Sequence, residues 1–140
     1  MVPSMHDLTG ELKRLVGWGA SPKRLPLFPV LLRLAEAENA SFTAQGYIVL
    51  DYLKTSIGQV DEPVPFGGRE VEPAVARRCF LLLLGIEGTG LKAGHRRMRV
   101  IQLLRFYCSV EAWKKPIGPE REFLTILAKH MTERHGASPT

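Results

Sequence analysis

Cys79-Phe80-Leu81-Leu82-Leu83-Leu84-Gly85-Ile86 is the longest apolar run in the chain, and it leads into the most basic segment, Leu91 to Lys115. That segment carries Lys92, Arg96, Arg97, Arg99, Arg105, Lys114 and Lys115 against one acid, Glu111. A helix that is apolar nearly all round is a central one. Glu72-Pro73 opens it with an acid and a proline, as a helix start requires. Val75, Ala76, Cys79, Phe80, Leu83 and Leu84 form its main stripe. Gly85 to Gly94 is a turn with four glycines. A fifth helix is expected from His95 to Tyr107, with Met98, Ile101, Leu104 and Cys108 facing in and Arg96, Arg99 and Arg105 facing out. Ser109 caps a short sixth helix, Val110 to Lys115, which Pro116-Ile117-Gly118-Pro119 ends.

Upstream, Leu8, Leu12, Leu15 and Val16 share one face of a helix from Asp7 to Val16. Gly17, Gly19 and Ser21-Pro22 stop it. Leu25 to Glu38 forms the next helix, beginning in earnest near Phe28, because Pro29 is costly deeper than a first turn. A third helix spans Ser41 to Ile57, with Tyr47, Ile48, Leu50, Tyr52 and Leu53 as core; Gly46 weakens it by roughly 1 kcal/mol relative to alanine. Pro63, Pro65 and Gly67-Gly68 mark a loop, with a hinge expected over 58–70. The last helix starts at Pro119, carries Glu120 and Glu122 in its first turn and Lys129, Arg134 and His135 near its end, and stops at Gly136. Phe123, Leu124, Leu127 and Met131 supply its apolar face. The fold expected is all-α: a compact bundle of six or seven helices, helix-turn-helix-like in its C-terminal part, with no strand. Residues 1–135 form a single domain and 136–140 a frayed tail.

Composition agrees with a globular chain. One hundred and forty residues suffice to bury a core without staples. Cys79 and Cys108 lack disulfide-scaffold spacing and behave as small hydrophobes in helices, which favours a reducing interior. No basic n-region and apolar h-region open the chain, and an apolar run of eight falls far short of the roughly 20 residues a membrane helix needs. A cytoplasmic protein with no membrane contact is expected. The charge is uneven. Residues 1–70 hold 7 Lys/Arg and 8 Asp/Glu, whereas residues 71–140 hold 12 and 6. The excess of +5 therefore lies in the C-terminal half, where a partner of negative potential would be drawn.

Catalytic chemistry is not visible. Gly85-Ile-Glu-Gly-Thr-Gly90-Leu-Lys92 misses the phosphate-binding loop, in which lysine directly follows the last glycine. Gly88-Thr-Gly90-Leu-Lys-Ala93 matches the looser dinucleotide fingerprint, with Phe80 to Leu84 as its strand, but that requires a parallel sheet that no other segment supplies. His6 and His95 are isolated, and His130 and His135 lie off one helical face. No Cys/His ligand set exists, and neither cysteine has a context that activates a thiol. No enzyme, metal or cofactor is expected.

Binding is the remaining class. Arg96 to Leu104, the turn to Ser109 and Val110 to Lys115 can be read as helix, turn, helix. In such a unit the second helix enters the major groove and basic groups meet phosphates. Ser109, Glu111, Lys114 and Lys115 would then face DNA, with Arg96, Arg97, Arg99 and Arg105 near the backbone. The competing description is a short capped connector whose Trp113 and Phe106 are core.

The residues Leu83-Leu-Gly-Ile86, Leu91-Lys92, Arg96-Arg97, Ser109-Val-Glu-Ala-Trp-Lys-Lys115 and Glu120-Arg-Glu-Phe-Leu-Thr-Ile-Leu-Ala128 resemble a group of small, mostly uncharacterised all-helical domains from actinobacteria. The resemblance covers about residues 80–130. It departs where Ala112-Trp113-Lys114-Lys115 replaces Thr-Phe-Arg-Arg, and the stretch between Arg97 and Ser109 is about two residues longer. The resemblance implies a regulatory or accessory domain without catalysis. Its partner is either DNA or a protein, the latter making it an adaptor of a larger regulatory or defence system.

Overall fold

A computed structural model describes residues 4–137, with side chains through residue 135. The order is α1 (Met5–Trp18), a 3-10 turn (Leu25–Leu27), α2 (Pro29–Leu34), α3 (Phe42–Gly58), β1 (Val64–Phe66), β2 (Arg69–Val71), α4 (Pro73–Leu83), α5 (Ala93–Leu104), α6 (Val110–Trp113) and α7 (Pro119–Ala137). The all-α expectation holds. Among the described residues the strands are confined to one antiparallel hairpin. Of the tail expected to fray, 136–140, Gly136 and Ala137 instead continue α7, and the rest lies outside the described residues.

The helix starts follow local chemistry. Ser4, Ser41 and Ser109 each accept from the amide three residues on, those of Asp7, Ala44 and Ala112. Pro29, Pro73 and Pro119 occupy first positions, where a missing N–H costs nothing. Phe28 cannot cap α2, so α1 does it. The Glu11 carboxylate accepts from the Val30 and Leu31 amides, each at 2.9 Å, while only 4% exposed. Burial pushes its pKa above the ordinary 4.5 even though both amides and Arg14 pull it down.

The buried apolar side chains form one core cluster drawn from residues between Leu8 and Met131. Leu8, Leu12, Leu15 and Val16 of α1 are fully buried, and α7 is the helix that α1 packs against most. α4 is central as its composition demands: Cys79, Phe80 and Leu83, with Leu84 at its C-terminal cap, are at 0% exposure. Burial pushes the Cys79 thiol up to about 12, so it is a packing group and not a thiolate. Phe80 stacks on Phe123 of α7 with centroids 4.3 Å apart.

α2 ends at Leu34, short of the expected Glu38, and α5 runs from Ala93 to Leu104 and not from His95 to Tyr107. Three further expectations change. First, the segment expected to be a hinge loop forms the hairpin. Gly67 and Gly68 have φ of +64° and +77°, the pair of positive values a tight two-residue hairpin turn requires. Phe66 then enters the core against Phe106, Trp113 and Phe123, so the hairpin is packed into the C-terminal half. Second, Tyr47 and Ile48 are exposed at 62% and 38%, because the inner face of α3 runs through Gly46, Val49, Leu53, Ser56 and Ile57. A side chain at Gly46 could not fit there: its Cβ would lie 1.9 Å from the Pro22 carbonyl oxygen. Third, Met98 is 47% exposed, and its expected place on the inner face of α5 is taken by Arg96. Phe80 to Leu84 is helical or turn, so the glycines after it have no strand to serve as a dinucleotide fingerprint.

Candidate nucleic-acid interface

α5 buries Arg96, Val100, Ile101 and Leu104, and positions 96, 100 and 104 are a stripe at four-residue spacing. Arg96 is thus carried into the interior by its own helix. Its guanidinium, 4% exposed, donates to the Leu83 oxygen at 2.7 Å and the Val16 oxygen at 2.8 Å, with longer bonds to Leu82 and Leu91. The Leu83 and Val16 carbonyls end α4 and α1, where helix dipoles are negative. Burial and the neighbouring Arg97 push the Arg96 pKa down. Arg96 is therefore a structural cation and not a phosphate contact.

Arg97 is also turned away from solvent. It makes a two-pronged pair with Glu120, Nε to Oε2 at 2.7 Å and Nη2 to Oε1 at 3.1 Å. Lys13 of α1 adds a third bond to the same carboxylate at 2.9 Å. Glu120 is fully buried in the first turn of α7, and two cations neutralise it. The trio ties α1, α5 and α7 together.

The other expected residues stay outside. Arg99, Arg105, Ser109, Glu111, Lys114 and Lys115 are all exposed. Lys92, His95, Arg99, Gln102 and Arg105 form the outward face of α5, and that face holds no acid. Arg105 ends the helix in the left-handed region at φ +52° and ψ +41°. The Arg69 guanidinium of the hairpin donates to the carbonyls of Leu104 and Arg105, completing that end. Ser109 is occupied as a cap. Glu111 and Lys114 lie 3.4 Å apart, an exposed pair of little strength.

The helix-turn-helix expectation is not met. α6 is a single turn of four residues, and Trp113 at its end is fully buried among Phe66, Phe106 and Phe123. A helix of that length rises only about 6 Å, too little to lie in a major groove and present several side chains to bases. α6 is the capped connector. Sequence reasoning missed Arg69 and Glu120 as partners of the basic segment. Glu120 had a signal, since an acid in a first turn beside so many cations finds one; Arg69 had none.

Among the described residues no group of three or more His, Cys, Asp or Glu is placed to hold a metal ion, and no helix is long and apolar enough to cross a membrane. In comparisons with known proteins, no family model, no curated protein and no solved structure matches the chain.

Proposed function

We propose that the chain is a non-enzymatic accessory or regulatory domain that binds nucleic acid through its phosphates, using the outward face of α5 and the adjoining α6. One observation carries this. With Arg96 and Arg97 committed to the interior, Lys92, Arg99, Arg105, Lys114 and Lys115 still stand exposed against a single exposed acid, Glu111. Such a surface supplies affinity that does not depend on sequence. The α6 turn is too short for base readout, so little discrimination between sequences is expected.

The test is a salt titration with the Arg99→Ala/Arg105→Ala/Lys115→Ala variant. The parent should bind DNA at low salt and lose affinity steeply as salt rises. The variant should bind more weakly, with a slope shallower by roughly 0.9 for each duplex phosphate it no longer neutralises. A parent that binds no DNA at low salt, or a variant with an unchanged slope, overturns the proposal.

A protein partner is the second reading, and it rests on α3. Phe42 and Tyr47 there are 59% and 62% exposed, and Ile48 is 38% exposed. An adaptor binding through these residues would resist salt and would lose its partner on Tyr47→Ala, with the arginine variant unaffected.

A further inference from the structure

Beside the C-terminal ends of α1 and α4 the surface opens into a cleft of about 610 Å³, within the range of small-molecule sites. Its walls are the loop after α1, one side of α3 and the turn after α4. Every charged side chain lining it is a cation: Lys23, Arg24 and Lys54. Trp18 stands at the edge, 47% exposed, with its ring edge-on to Phe28 at 5.7 Å. Arg24 is held near it by a bond to the Trp18 carbonyl.

The floor explains why an anion is tolerated here. Two helix C-termini would ordinarily make such a place electronegative. Arg96 lies directly beneath and donates to the last-turn carbonyls of both helices, cancelling that field from inside. Gly19 and Gly85 separate the guanidinium from the cleft, with φ of +83° and +77°. A Cβ on Gly85 would come within 2.9 Å of the Gly19 Cα and 3.1 Å of Arg96 Nη1. The floor is therefore bare backbone over a buried positive charge, and the three lining cations act unopposed by any lining acid.

We propose that this cleft binds a nucleoside polyphosphate, its phosphates on Lys23, Arg24 and Lys54 and its base against Trp18. Charge-assisted bonds to phosphate and aromatic contact with a planar ring are what these side chains supply. The ligand is held by side chains, in contrast to a glycine loop that wraps phosphates with its amides. The site is separate from the outward face of α5 and does not depend on nucleic-acid binding there.

Only two tryptophans exist, and Trp113 is fully buried, so a ligand-induced change in tryptophan emission reports Trp18. ATP should change that emission saturably, and free adenosine should not. Lys23→Glu/Lys54→Glu reverses two exposed charges and should weaken ATP binding by roughly tenfold or more while far-ultraviolet circular dichroism stays unchanged. Calorimetry on Trp18→Phe should still detect ATP, with a lower affinity. The Arg99→Ala/Arg105→Ala/Lys115→Ala variant should bind ATP as the parent does. The proposal is overturned if ATP gives no saturable response by either method at millimolar concentration. It is equally overturned if the charge-reversal variant binds ATP as tightly as the parent, or if ATP binding is lost with the α5 variant instead.

Discussion

Arg96 shows how a charge can be a core residue. Its partners are four carbonyls and no carboxylate, and two of them close helices that lie far apart in the chain. Arg96→Ala should lower stability by about 3 kcal/mol or more, because each buried carbonyl left without a donor costs about 1–3 kcal/mol. Arg96→Lys should recover only part, since an ammonium cannot span the carbonyls that a planar fork reaches. A urea midpoint unmoved by Arg96→Ala would rule out this role. Glu11 makes a second prediction, through pH. Its folded pKa is raised above 4.5, so the folded state holds a proton more tightly than the unfolded one. The corresponding stability is complete below pH 4.5 and is lost as pH rises through the folded pKa. The contribution of Glu11 to stability should fall over that window. Glu11→Gln should lack the fall, which is checked by denaturant midpoints measured at several pH values.

At the scale of elements, most of the helices were legible and most of the exceptions have one cause. Serine caps, first-position prolines and the apolar stripes of α1, α4 and α7 are local signals, and local signals located those helices. The hairpin was not legible, because Val64 to Val71 reads as Pro- and Gly-rich loop until Phe66 finds an aromatic pocket supplied by α6 and α7. Gly46 reads as a flaw in α3 and is a close-approach point for Pro22. The inward face of α5 could have been found from the spacing of Arg96, Val100 and Leu104, had an arginine been allowed there. Arg96 and Arg97 turn inward while the other six residues expected at an interface stay exposed, because charge is visible in a sequence but the direction of a charged side chain depends on neighbours distant in it. Arg105 supplies the prediction at this scale. A non-glycine residue in the left-handed region costs roughly 1–2 kcal/mol. Arg105→Gly should thus raise stability by about 1 kcal/mol in thermal or urea unfolding, while weakening any nucleic-acid binding. A fall in stability would show that the arginine side chain, and not its backbone, holds this corner.

Across the whole molecule, α4 is the axis. Leu83 is fully buried, and Leu83→Ala should cost roughly 2–5 kcal/mol, the range for emptying a buried leucine site. An unshifted urea midpoint would mean that α4 is not central. Around that axis the earliest and latest helices meet: α1 lies on α7, and Lys13, Arg97 and Glu120 link them. During synthesis this arrangement has a cost in time. The ribosome makes α1 about a hundred residues before α7, which at about 5–20 residues per second is a wait on the order of 5–20 s. Through that interval Leu8, Leu12, Leu15 and Val16 have no α7 to cover them. The nascent chain therefore presents a sticky stripe to whatever chaperones attend the exit tunnel until its last helix emerges.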